Sequence, residues 1–264
     1  MTGNILSIAS RNNLGSLEHG AVAANEILLS LVSAANVCDK REGDVLSSAL
    51  VRQLAISARY SRKINGTLSF SELGDKVQVQ INRFSGPAYQ LNKALADGEV
   101  PRDADAAHWA QAQLATAFVN GRFRNNAGSE PNPFADLSAR QLAIIAFDES
   151  GTFTVNESRA AACESYRREE IWRLEIVAEM LEESHSTGKI GQSLKKVLAH
   201  FNAMSKMEQV QYPENYARDL MAKIDLDFNY RIETSVATVA MELQSVLYQK
   251  FNSFSPIQSD ARIR

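Results

Sequence analysis

Apolar positions recur at three- and four-residue steps along most of this chain, the spacing that lines one face of a helix. Leu17, Ala21, Ala24, Leu28, Leu31 and Ala35 form one stripe. Leu46, Leu50, Leu54 and Ala58 form the next, with Asp44 placed as its N-cap. Val77-Gln78-Val79-Gln80-Ile81 alternates as a strand would, yet Leu73, Val77, Ile81 and Phe84 also share a helical face. The helical neighbours decide for helix. Ala104–Asn120 continues the pattern through Trp109, Leu114 and Phe118.

Beyond the middle of the chain the signal strengthens. No Gly or Pro interrupts Thr154–His185, and Gly188 follows as a helix stop. Tyr166, Ile171, Leu174, Val177 and Leu181 supply the apolar side of that helix. Ile190, Leu194, Val197, Leu198 and Phe201 make another, and Pro213 opens one carrying Tyr216, Leu220 and Ile224. Ile232, Val236, Val239, Leu243 and Val246 alternate four- and three-residue steps, a seam that suits the core of an intramolecular bundle. The fold class expected is all-α: a multi-helix bundle with a long C-terminal helical bundle.

The Asn125–Pro133 run of Asn, Gly, Ser and Pro cannot propagate a helix and marks a boundary. The expected organisation is a flexible segment over 1–16, a helical region over 17–124, a linker over 125–136 and a second helical region over 137–264. With 45% hydrophobic and 22% charged residues, the 264-residue chain is composed as a globular protein rather than a disordered one. A net charge of -3 offers no basic footprint for nucleic acid. No stretch approaches the uninterrupted apolar length of a membrane span. Cys38 and Cys163 are too few for a disulfide framework and suit a reducing, cytoplasmic setting.

The first residues qualify that setting. No acid precedes Glu18, and Ser and Asn abound, with Ile5, Leu6 and Ile8 near the front. This composition resembles the uncleaved leader of bacterial type III secretion substrates, which implies export without signal-peptide removal.

Two segments carry further chemistry. In Ser61–Glu72, Gly66 stands at the sixth place, Leu68 at the eighth and Glu72 at the twelfth, with Asn65 and Ser69 offering oxygen at the fifth and ninth. In Ala146–Glu157, Gly151, Phe153, Thr154 and Glu157 repeat the order, with Asp148 and Ser150 at three and five. Both segments resemble the calcium loop of the EF-hand family, which needs a sharp turn at six and a carboxylate at twelve. Each departs from it: Ser61 and Lys63 stand at the first and third places of one loop, and Ala146 at the first place of the other. Taking Asp148 as the first ligand instead leaves that loop about two residues short of twelve. The resemblance implies two helix-loop-helix units and a weak calcium site at Asp148, Ser150, Thr154 and Glu157.

Helix capping accounts for part of the same pattern. Ser69-x-x-Glu72 and Thr154-x-x-Glu157 are capping boxes, as is Ser138-x-x-Gln141, which has no calcium-like glycine turn beside it. The catalytic inventory is empty: His19, His108, His185 and His200 are scattered, and no HExxH, CxxC, GxSxG or phosphate-binding glycine motif occurs. Cys163 is expected to be a buried, inert thiol, Trp109 and Trp172 to be core, and Glu157, Arg159, Glu164, Arg167, Arg168, Glu169 and Glu170 to form a solvated helix face.

The leading expectation is therefore a non-catalytic helical interaction or scaffold protein with a protein partner and no resident cofactor. The alternatives are a weak calcium-binding regulator and a type III-secreted effector.

Overall fold

A computed structural model of the chain describes residues 48–102, 105–123 and 130–226. The stripe at 17–35, Asp44, Leu46, Cys38, residues 125–129 of the linker and the 232–246 seam lie outside the described residues. Within them there are ten helices and no strand. These are α1 (Ser48–Asn65), α2 (Phe70–Phe84), α3 (Gly86–Leu91), α4 (Lys93–Asp97) and α5 (Ala106–Phe123), then α6 (Ala139–Ala146), α7 (Val155–Thr187), α8 (Gly191–Ala203), α9 (Lys206–Gln209) and α10 (Tyr216–Leu226). The chain is all-α over this range, and none of these helices is long and apolar enough to cross a membrane.

Local sequence sets the helix starts. Ser69, Ser138 and Thr154 each accept from the amide three residues on, while Glu72, Gln141 and Glu157 bond back to the cap. Each box satisfies amides that a helix start would otherwise leave bare, worth about 1 kcal/mol apiece. The ambiguous stretch is helical. Leu73, Val77, Ile81 and Phe84 are buried on one face of α2, whereas Val79, which a strand would bury with its neighbours, is 65% exposed.

α7 organises the rest. At 33 residues it runs about 50 Å, long enough to serve two cores in turn. Its N-terminal part enters a core that draws on both sides of the Asn125–Pro133 stretch, including Leu54, Val77, Phe84, Phe134, Leu142 and Phe153. Phe84, Phe134 and Phe153 are each no more than 2% exposed. Their burial contributes roughly 2–3 kcal/mol apiece. The C-terminal part of α7 packs on α8 and α10 through Ile176, Met180, Leu194, Val197 and Leu220.

Burial departs from the sequence reading in two places. Trp109 and Leu114 are half-exposed at 47% and 48%, because α5 turns His108, Ala112, Ala115 and Val119 inward instead. The small alanines on that face allow close packing against α7. Likewise Glu157, Arg159 and Glu164 are buried rather than solvated. The first turns of α7 are enclosed on all sides, so polar groups expected to face water had to find partners inside.

Those partners are visible. Asn156 accepts from Tyr89 Oη at 2.7 Å and donates to Ala96 O at 3.1 Å and Thr116 Oγ1 at 3.1 Å, tying α7 to α3, α4 and α5. Arg159 donates to Phe84 O at 2.6 Å and lies 4.4 Å from the Tyr89 ring centroid. Its cation thus meets the C-terminal carbonyls of α2, where the helix dipole favours it. Burial lowers the Arg159 pKa, but a guanidinium starts so far above neutrality that the side chain remains a cation.

Candidate functional site

The Ala146–Glu157 segment joins α6 to α7. Gly151 adopts φ 75°, a left-handed turn that opposes any side chain. Asp148 is 1% exposed and folds the loop around itself. Its Oδ1 accepts from Ser150 N at 3.1 Å and Ser150 Oγ at 2.6 Å, and its Oδ2 accepts from Phe153 N at 3.1 Å. Ser150 Oγ in turn lies 2.7 Å from Thr152 Oγ1. Glu149 braces the loop from outside, 2.8 Å from Lys76 Nζ and accepting from Gln80 at 3.2 Å.

The other two expected ligands are paired separately. Glu157 Oε2 accepts from Thr154 N at 2.9 Å and Thr154 Oγ1 at 3.0 Å. Its Oε1 accepts from Gln111 Nε2 at 3.3 Å and faces His108. The structure therefore joins Asp148 to Ser150 and Thr154 to Glu157, and commits both carboxylates to donors of the protein. Among the described residues, no cluster of three or more His, Cys, Asp or Glu is placed to hold a metal ion.

The Ser61–Glu72 segment is built differently. Ser61–Asn65 belong to α1, so only Gly66–Ser69 connect it to α2. Gly66 is not left-handed; the positive-φ glycines among the described residues are Gly86, Gly151 and Gly188. It is needed for another reason, since a Cβ there would sit 2.8 Å from Arg62 O. Asn65 Oδ1, an expected loop oxygen, accepts from Lys76 Nζ at 2.9 Å.

A second candidate site lies where the two cores meet. A cleft of about 790 Å³ opens between α1, α6, α7 and α8. Leu73, Leu142, Ala143, Phe147 and Met207 supply its apolar wall from the first core. Trp172 and His200 supply the opposite side, stacked with ring centroids 3.6 Å apart and planes 11° apart. His200 Nε2 lies 2.8 Å from Glu169 Oε2, and Tyr212 Oη donates to Glu169 Oε1 at 3.5 Å. Burial drives the Tyr212 pKa well above its usual value, so this hydroxyl stays protonated as a donor.

Four cations border the cleft: Arg62, Arg140, Arg168 and Lys206. Arg168 is neutralised by Glu164, its Nε donating at 2.7 Å. Among the described residues, Arg62 donates only to Ala58 O of its own helix, at 3.3 Å, and neither Arg140 nor Lys206 meets a carboxylate.

Sequence reasoning missed this cleft because its residues come from five separated stretches, each ordinary alone. The one local hint was a polar His200 beside the apolar Val197–Leu198 pair. Cys163, expected to be buried, is partly buried against the first core, and desolvation pushes its thiol pKa up.

No known family, curated protein or solved structure matches this chain. Fold and geometry alone define its class: over the described residues it is all-α, with an apolar cleft at the junction of two cores.

Proposed function

We propose that this chain is a non-catalytic helical interaction protein, and that the cleft holds an apolar segment of a partner protein. The observation that carries the reading is the cleft itself, about 790 Å³ walled by Leu73, Leu142, Phe147, Met207 and Trp172. Apolar surface of this extent gains from being covered. Met204 and Met207 adapt to irregular side chains, and aromatic and methionine residues are the types enriched where proteins meet. An amphipathic helix laid in such a groove presents anchors at i, i+4 and i+7.

The test is a fluorescein-labelled helical peptide with leucine at those positions and glutamine elsewhere, titrated with the full chain. Ala203, which is exposed and borders the cleft, is replaced by Phe to fill it. Binding that weakens roughly tenfold in Ala203→Phe, with the melting midpoint unchanged, supports the reading. Absence of binding, or binding indifferent to both Ala203→Phe and Ala139→Phe, overturns it.

A second reading, a weak calcium regulator with an EF-hand-like unit at Ala146–Glu157, is favoured by the left-handed Gly151 and the hydroxyls gathered around Asp148. Ligation by Asp148, Ser150, Thr154 and Glu157 requires both carboxylates to release the amides they now hold. The export alternative rests on residues outside the described range and is tested by secretion of a reporter fused to residues 1–47.

A further inference from the structure

Resting on the cleft reading above, we infer that the segment the cleft accepts is acidic, with carboxylates flanking its apolar anchors that pair with Arg62, Arg140 and Lys206. Several charges at the rim already have partners. Glu169 is taken by His200 and Tyr212, and Glu208 accepts from Ser205 N at 2.9 Å. Arg168 is taken by Glu164. Among the described residues, what remains toward a ligand is positive.

Arg140 also has no local reason to be a cation. It stands in the first turn of α6, a helix with no acid there, where the dipole disfavours positive charge. Arg62, in the last turn of α1, suits its dipole, but among the described residues its fork meets no carboxylate. A guanidinium recognises a carboxylate in bidentate fashion, and carboxylates three or four residues from a helical anchor lie beside it at the rim. Three cations on three separate elements call for several carboxylates spread along a chain, not the single one of a fatty acid.

The experiment compares three labelled helical peptides sharing leucine anchors, with Glu, Gln or Lys at the flanking positions. Polarisation is read with the full chain at about 50 mM and about 300 mM NaCl, across which the Debye length shortens. The expected result is that the Glu peptide binds roughly tenfold tighter than the Gln peptide at low salt, with the gap closing at high salt. The double variant Arg140→Gln/Lys206→Gln should lose most of that preference and melt as the parent does.

Equal binding of Glu and Gln peptides, both sensitive to Ala203→Phe, overturns the acidic inference and leaves the cleft reading standing. Binding of neither peptide overturns both. Laurate displacing the Glu peptide at equal concentration, association with phosphatidylglycerol vesicles that Ala203→Phe abolishes, or a dimer that Ala203→Phe dissolves would each overturn the assignment by naming another occupant.

Discussion

Glu157 and His108 face each other inside the protein, Oε1 and Nε2 3.4 Å apart, with side-chain exposures of 0% and 2%. The approach lacks the alignment of a hydrogen bond, and His108 Nε2 has no hydrogen-bond partner among the described residues. Gln111 supplies the donor that Oε1 uses, and Phe153 meets the imidazole edge-on at a centroid distance of 5.9 Å. The carboxylate that begins α7 is thus also one of the contacts between α7 and α5.

That double duty makes Glu157→Gln costly. Glutamine can keep one oxygen on the Thr154 amide, but its NH₂ then points at the Gln111 donor. Stability should fall by about 1–3 kcal/mol, the penalty of a buried unpaired polar group, read as a lowered urea midpoint. Glu72→Gln, in the equivalent box at the surface, should leave the midpoint within error. Equal losses in the two variants would sink the distinction.

Calcium should bind no tighter than about 10⁻⁴ M, the weak end of the range for such loops. Asp148 already holds three donors of its own loop and Glu157 holds Thr154 and Gln111. Calorimetry decides it, and micromolar binding that survives Glu157→Gln would refute this ligand set.

Gly151→Val should destabilise by roughly 2 kcal/mol, since a β-branched residue at φ 75° is strained and Arg102 lies 3.7 Å from the new Cβ. Gly66→Ala should also lower the midpoint, through the approach to Arg62 O rather than through φ. Midpoints unchanged in both would show that neither turn is as described.

Tyr89→Phe and Asn156→Ala should not add. Each removes the same 2.7 Å hydrogen bond, and Asn156→Ala also removes the donor to Ala96 O and Thr116 Oγ1. Expected losses are about 1 and roughly 3 kcal/mol, with a coupling of about 1 kcal/mol in the double mutant. Strict additivity would contradict the network.

Stability should decline in alkali. Burial raises the pKa of Tyr89, Tyr166 and Tyr212 above 10.0 and of Cys163 above 9.0. Above those values the unfolded chain sheds protons that the folded protein keeps, so unfolding becomes easier as pH rises. Below about pH 9 both states hold these protons and the effect vanishes. Urea midpoints measured from neutral pH upward should be level and then fall, less steeply in Tyr89→Phe.

Much of the fold was legible because helices are local. The capping boxes at Ser69, Ser138 and Thr154, the Gly188 stop, and the α2 stripe of Leu73, Val77, Ile81 and Phe84 are set by residues within a few positions of one another. One buried face and one set of caps suffice to choose helix over strand. The left-handed Gly151 belongs to this group as well, since a tight turn before a capped helix favours the residue without a Cβ.

Tertiary packing decided what each polar residue does. The spacing that puts Glu157, Arg159 and Glu164 on a charged helix looks the same whether water or protein surrounds it. Only α2, α3, α5 and α6 closing around the start of α7 make those charges internal and give Arg159 and Glu157 Phe84 O and Gln111 as partners, whereas the Glu164–Arg168 pair is local to α7. Trp109 was exposed by the same packing, because alanines rather than the larger ring fit against α7. The cleft belongs wholly to this level. Arg62, Arg140, Trp172, His200 and Lys206 are brought together by helix arrangement, and no periodicity along the chain records a distance between helices.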